Sequence, residues 1–164
     1  MRIFGLAGWS GSGKTTLVTA LIPEFVRRGV SVSTIKHAHH DFDIDQPGKD
    51  SWRHRRAGAR EVMVSSSRRW ALMHELDGEP EWPLAALIAQ MSPADLLLVE
   101  GFKRDPHPKL EVYRRSVGKP LLHPEDPDIV AIAADEPLDV PLPQYRLSDA
   151  AAIAEFILRE ARPC

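Results

Sequence analysis

One lysine stands among glycines and hydroxyl residues in "GWSGSGKTT", residues 8–16. Gly8, Gly13, Lys14 and Thr15 hold the fixed places of the pattern G-x-x-x-x-G-K-[ST]. Such a loop gives up side-chain packing so that its backbone can approach something closely. Glycines let successive amides face an anion with no Cβ in the way. An apolar-periodic segment follows, so the loop opens a helix, whose N-terminus adds unpaired donors and partial positive charge. A polyphosphate suits this arrangement. Trp9, Ser10, Gly11, Ser12, Gly13, Lys14, Thr15 and Thr16 form the expected nucleotide-binding segment. Lys14 would reach the β- and γ-phosphates as a point charge, and the Thr15 hydroxyl would serve Mg²⁺. Trp9 fits three roles: packing on the ligand, packing on a neighbouring chain, or covering the loop.

A magnesium ion needs a second hard oxygen donor, and "DLLLVEG" offers Asp95 and Glu100. Ligands of parallel sheets lie beyond the carboxyl ends of the strands. Asp95 begins its strand and Glu100 ends it; five residues at about 3.3 Å each separate them by roughly 16 Å. Glu100 is therefore the expected metal-side acid, directly or through water, and with Lys14 the expected catalytic pair. Gly101 allows backbone near the γ-phosphate, or simply makes a turn.

"IKHAHHDFDIDQPGKDS" follows the second expected strand, at the same edge as the glycine loop. It gathers Lys36, His37, His39, His40, Asp41, Asp43 and Asp45. Three readings stand side by side: a solvated polar loop with helix caps, a switch sensing the γ-phosphate or its metal, and a transition-metal site of imidazoles and carboxylates. Lys36, His37 and Asp45 are the expected contacts with phosphate-bound metal or a second ligand. Arg53, Arg55, Arg56 and Arg60 make either a solvated basic face or a binding surface for an anionic partner. The guanine signature N-K-x-D is absent, since the chain contains no Asn. Asp135, at the end of "DIVAIAAD", can do the same work by accepting from guanine N1–H and the exocyclic amine; a turn or cap role is the alternative, and adenine stays open.

The surrounding elements must position these groups. Arg2 to Ala7 reads as a buried strand. Leu17, Leu21 and Phe25 give the following helix its apolar stripe, with Pro23 expected to kink it and Gly29 to stop it. "VSVSTIK" alternates as a strand. A helix is expected from Asp50 or Ser51 as cap through Arg60, limited by Gly58. "EVMVSSS" and "WALMHEL" suggest a hairpin. Leu84 to Met91 reads as helix, "DLLLVEG", "KLEVYRR" and "DIVAIAAD" as strands, and Ser148 to Arg162 as a terminal helix capped by Ser148 or Asp149. A strand–loop–helix–strand opening predicts a mainly parallel central sheet with helices on both faces, in one domain over residues 1–164.

Composition bounds the rest. The chain has 164 residues and a net charge of −2, from 21 basic and 23 acidic residues. That balance argues against nucleic acid as partner. The lone cysteine, Cys164, excludes a disulfide framework within one chain and suits a reducing compartment. No apolar run is long enough to span a membrane, and no signal peptide is seen. A soluble cytoplasmic protein is expected.

Three stretches taken together, "GWSGSGKTTL", "IKHAHHDFDIDQPGKDS" with its following arginines and "AGA", and "LLLVEGFK", resemble the molybdopterin-guanine dinucleotide biosynthesis protein B (MobB) family over roughly residues 3 to 135. The resemblance implies a three-layer α/β P-loop NTPase, akin to signal-recognition and metallochaperone GTPases. It implies GTP and Mg²⁺ as ligands, slow hydrolysis, a homodimer, and service to the guanylyltransferase that joins GMP to molybdopterin, with molybdoenzyme maturation proteins as candidate further partners and molybdopterin as a candidate second ligand. By position, Gly11 to Thr16 would bind the phosphates, Thr15 and Glu100 would serve magnesium, and residues 36–51 would face the nucleotide. ATP-using relatives often carry an extra lysine early in the loop; Trp9 and Ser10 stand there instead, so a lysine donated by a partner chain is not expected. A metal-delivering GTPase and a small-molecule kinase are the alternatives.

Overall fold

The computed structural model describes residues 1–38 and 42–164. His39, His40 and Asp41, named above as candidate ligands, lie outside the described residues. The chain forms two compact units, one of residues 1–37 with 91–164 and one of residues 38–90.

The first unit is built on a seven-stranded sheet. Its strands are β1 (Arg2–Ala7), β2 (Val32–Lys36), then β5 (Leu96–Glu100), β6 (Lys109–Tyr113), β7 (Ile129–Ala134), β8 (Gln144–Arg146) and β9 (Arg162–Pro163). The order is β2-β5-β1-β6-β7-β8, all parallel. β9 runs antiparallel to the start of β1, whose end pairs with β6. The expected mainly parallel α/β sheet is thus the fold found. Helices α1 (Lys14–Arg27) and α4 (Ala150–Glu160) share one core on one face. Period-two alternation assigns Phe4, Leu6, Leu96, Leu98, Leu110 and Val112 to that core. Leu17, Leu21 and Phe25 meet them from α1, and Ile153, Phe156 and Ile157 from α4. The opposite face carries Ile3, Leu97, Val99 and Ile132, which are also buried.

The register of β1 and its neighbours fixes what stands at the carboxyl edge. Leu6 pairs with Glu100, Lys36 pairs with Glu100 from the other side, and Ala7 pairs with Glu111. At the opposite edge the Asp95 carboxylate accepts from the Ser31 amide at 2.9 Å and from the Ser31 hydroxyl at 2.6 Å. Asp95 thereby joins the starts of β2 and β5, far from Glu100, as the strand geometry requires.

Several boundaries differ from expectation. α1 continues through Pro23 to Arg27. The lost amide removes one ladder bond, and the buried stripe holds the helix together. α4 begins at Ala150, and of the two candidate caps Asp149 does the work, accepting from the Ala152 amide at 3.1 Å. β8 and β9 were not foreseen, being too short to show a period.

The second unit holds α2 (Asp50–Arg56), the antiparallel hairpin β3 (Glu61–Ser65) with β4 (Trp70–His74), and α3 (Leu84–Ala89). The cap of α2 is Lys49, not Asp50 or Ser51. The Ser51 hydroxyl, inside the first turn, donates to the Asp45 carboxylate at 2.8 Å. The helix stops at Arg56 rather than Arg60, because the chain turns left-handed at Gly58 (φ 98°). No helix among the described residues is long and apolar enough to cross a membrane.

Hydrogen bonds from Ser31 hold the Asp95 carboxyl below its usual pKa, with Arg2 and the N-terminal ammonium adding to the effect. A pKa lowered on folding gives stability above the unfolded value, lost as pH falls through the folded one. Asp95→Ala should therefore flatten the loss of stability on acidification below about pH 4, measured as the urea midpoint against pH. An acid limb as steep as in the parent would refute this role.

Candidate functional site

The glycine loop runs from the end of β1 to the first turn of α1, and its backbone needs its glycines. Gly8, Gly11 and Gly13 have φ of 148°, 81° and 98°, values that side chains with a Cβ rarely adopt. A Cβ on Gly8 would also lie 2.5 Å from the Val112 carbonyl oxygen and 2.7 Å from Ser12 Oγ. Just past β1, Gly8 thus packs tightly against the β6 backbone. At Gly11 a Cβ would meet nothing within 4 Å, so the loop is open there. Gly13 is the N-cap of α1 and brings no side-chain cap. The first amide of this turn with a backbone acceptor is that of Leu17, on the Gly13 carbonyl at 2.9 Å. The Ser12 amide is turned back onto the Trp9 carbonyl at 3.2 Å, and the amides of residues 13–16 are the unpaired donors that a helix start leaves for other partners.

Side chains converge on this turn. Thr15 Oγ1 donates to the Glu100 carboxylate at 3.0 Å. Lys36 Nζ donates to Thr15 Oγ1 at 3.4 Å and stands 3.8 Å from Glu100. Lys14 Nζ donates to the carbonyls of Gly8 and Trp9, both at 3.0 Å. Burial lowers the Lys14 pKa, the Glu100 carboxylate pulls it back up, and Lys103 and Lys36 depress it further. A half-buried ammonium beside one carboxylate and two other cations is a strong attractor for added negative charge.

Trp9 is fixed at the rim by its Nε1, which donates to the Pro120 carbonyl at 2.8 Å. The ammonium groups of Lys103 and Lys119 lie 4.7 and 5.7 Å from its ring centroids. Ser10 and Gly11 are exposed, whereas Ser12 is buried and its hydroxyl has no partner among the described residues. Thr16 reaches a neighbouring groove. That groove, of about 740 Å³, lies at the ends of β7 and β8 and is lined by Thr16, Arg114, Asp135, Gln144, Tyr145 and Arg146 among others. Asp135 thus shares a cavity with the end of the glycine loop. Arg114 was not singled out from the sequence, yet it joins the two regions: its Nε donates to the Ser12 carbonyl at 3.1 Å, and its Nη1 is 3.8 Å from Asp135. The usable signal was its place, just past the carboxyl end of a parallel strand.

His37 enters the same edge through its backbone, donating from its amide to the Glu100 carbonyl at 2.8 Å. Its ring stacks at 5.0 Å on Phe102. A Cβ on Gly101 (φ 95°) would lie 2.7 Å from His37 Cβ, so the close approach of these chains depends on glycine. Asp45 belongs to the second unit. There it accepts from Arg55 at 3.2 Å, and Arg55 also binds Asp43 at 2.7 Å and Glu75 at 2.8 Å. Arg55 is therefore engaged by three carboxylates and is no solvated basic face. Among the described residues no group of three His, Cys, Asp or Glu side chains is placed to share a metal ion.

The donor chemistry fits a magnesium-bound polyphosphate: a hydroxyl and a carboxylate in contact, unpaired amides, and an ammonium within one turn. A mainly parallel sheet whose first strand passes through a glycine-rich loop into a helix is the P-loop NTPase fold. Within that class, the chain belongs to the molybdopterin guanine dinucleotide synthesis protein B family (MobB), whose model matches residues 3–135. It is 42% identical over 159 residues to the molybdopterin-guanine dinucleotide biosynthesis adapter protein of Escherichia coli, spanning 95% of this chain and 91% of that one. The adapter protein of the same description from Haemophilus influenzae is 41% identical, over 94% of this chain and 86% of the other. A crystal structure of molybdopterin-guanine biosynthesis protein B superposes with a TM-score of 0.76 at 29% identity, over 96% and 98% of the two chains. The MobB homologue from Bacillus stearothermophilus gives 0.71 at 27% identity, over 98% and 97%. An adapter role in molybdenum cofactor biosynthesis follows.

Two glycines of the loop, Gly8 buried and Gly11 exposed, should respond differently to a methyl group. Gly11→Ala should cost only its backbone strain, roughly 1–2 kcal/mol. Gly8→Ala adds a clash with β6 and should cost about 1–3 kcal/mol more. Urea unfolding of both variants measures the difference, and equal losses would show that Gly8 is not tightly packed.

Proposed function

We propose that this chain binds Mg²⁺·GTP at the glycine loop, hydrolyses it slowly, and uses nucleotide state to set its contacts as an adaptor to the guanylyltransferase that completes the cofactor dinucleotide. The observation that carries the reading is the contact between Thr15 and Glu100 beside Lys14, at the mouth of α1. The amides of residues 11–16 cradle the β- and γ-phosphates, and Lys14 exchanges its carbonyl partners for phosphate oxygens. Thr15 and Glu100 hold the ion, Glu100 directly or through water. When bound, magnesium supplies charge neutralisation across the β- and γ-phosphates. Catalysis is then electrostatic positioning: Lys14 stabilises charge that develops on the leaving phosphate oxygen, and Glu100 orients the attacking water. The absence of any additional lysine within the loop itself suits slow turnover.

The groove beside Thr16 receives the base. Asp135 at its rim accepts from guanine N1–H and the exocyclic amine, two bonds that adenine cannot donate in that geometry. Lys36 and His37 sense the terminal phosphate or a second ligand, for which molybdopterin is the candidate. The protein acts as a cytoplasmic homodimer in this reading, and the relatives described as adapter proteins of this biosynthesis supply its context.

Calorimetric titration with GTP, ATP and molybdopterin, each with and without Mg²⁺, tests the whole reading; no nucleotide affinity in any arm would end it. Lys14→Ala should weaken Mg²⁺·GTP roughly ten- to hundredfold, the scale of a lost charge-assisted bond, and unchanged affinity would remove Lys14 from the site. Asp135→Asn should weaken GTP about tenfold or more while leaving ATP nearly unchanged. Equal effects on the two nucleotides would defeat the base contact.

A further inference from the structure

A second ammonium group waits over the glycine loop on a prepared surface. Lys103 lies three positions after Glu100, and its Nζ is 4.7 Å from the Trp9 ring centroid. It makes no ion pair among the described residues. The turn that carries it is unusual, because Gly101 and Phe102 both have left-handed φ, 95° and 48°. A non-glycine residue in that region is kept there only where its surroundings insist, and here the Phe102 ring is packed on His37. The Trp9 platform is equally fixed. Its Nε1 is tied to Pro120, and the same segment is pinned two residues on, where the amides of Leu122 and His123 donate to the buried Glu111 carboxylate at 2.7 and 3.0 Å.

Charge balance says what such a cation is for. Mg²⁺·GTP carries a net charge of about −2 near neutral pH. Lys14 and Lys36 supply two positive charges, and Glu100 takes one back. One negative charge is left over, and on the β5 side of the loop Lys103 sits closer to the Trp9 ring than Lys119 does and its charge helps to lower the Lys14 pKa. Arg114 stands on the other side, at the Asp135 groove. A cation over an aromatic face is held by about 0.5–1 kcal/mol at an exposed site. A charge-assisted bond to phosphate exceeds that, so the ring can hold Lys103 without trapping it.

Resting on the nucleotide reading above, we propose that Lys103 is a further phosphate-binding cation of this site, beyond Lys14 and Lys36, docked on Trp9 and delivered to the terminal phosphate of a nucleoside triphosphate. The site thereby distinguishes tri- from diphosphate with a lysine from the β5–β6 loop, in place of one inside the glycine loop. Lys103→Met keeps the apolar stem on Trp9 and removes the charge. Titration of the full-length protein with Mg²⁺·GTP and Mg²⁺·GDP should show GTP affinity falling about tenfold or more, with GDP affinity within about twofold of the parent. Lys103→Arg should recover most of the loss. Unchanged GTP affinity in Lys103→Met, or an equal fall for GTP and GDP, would overturn the proposal while leaving the nucleotide reading intact. A parent protein that binds neither nucleotide would overturn both.

Discussion

Parallel register is the constraint from which the site follows. β2, β5 and β1 lie side by side with Lys36, Glu100 and Leu6 in line. β1 has only one further residue before the glycine loop turns it into α1. The first turn of that helix is thereby held over the end of β5, and Thr15 Oγ1 meets Glu100 at 3.0 Å. No loop has to be recruited to make that contact. Its position is set by the β1–β5 ladder, whose residues are buried on both faces up to Glu100.

Placement matters because the charges gathered at this loop act only at close range. The amides at the start of α1 keep unpaired donors because Gly13 caps the helix without a side chain. Lys14 is kept within the loop by two carbonyls rather than by a carboxylate. Had Glu100 paired with Lys14 directly, the loop would be neutral at the mouth of α1. Instead Glu100 bonds Thr15 and lies nearest Lys36, which leaves the loop's own cation available.

Legibility in the sequence followed from how directly a residue's identity dictates backbone. The glycine loop could be read because glycine at positive φ leaves a compositional trace, and Glu100 because strand polarity separates it from Asp95 by the length of the strand. Arg114 was hidden because an arginine after a strand looks like any solvated basic residue; its value comes from Ser12 and Asp135, distant in sequence. The cap of α2 was misplaced for a similar reason. Ser51 is a good cap by type, but the helix already begins at Asp50 after an extended Lys49, a backbone choice with no compositional signature. Arg55 looked like part of a basic face until three carboxylates closed on it. β8 and β9 are three and two residues long, too short for any periodicity, and are held in place by the strands they extend.

Two glutamates at one edge show how far parity alone can divide labour. Glu100 ends β5 and Glu111 lies in β6, the two strands that flank β1. Glu100 shares its face with Leu96 and Leu98, and therefore with α1. Glu111 sits one step out of phase and faces away from that core, fully buried. Burial pushes its carboxyl above the usual range, against the pull of the Leu122 and His123 amides. One acid is left in reach of Thr15, and the other is spent on bracing the segment that carries Pro120, on which Trp9 rests. A one-residue slip of either strand would exchange the two faces, sending an acid away from the loop or leaving Trp9 without its brace. The hydrophobic partners of each strand forbid that slip, so the same burial that stabilises the sheet also decides which carboxylate can meet an incoming ligand.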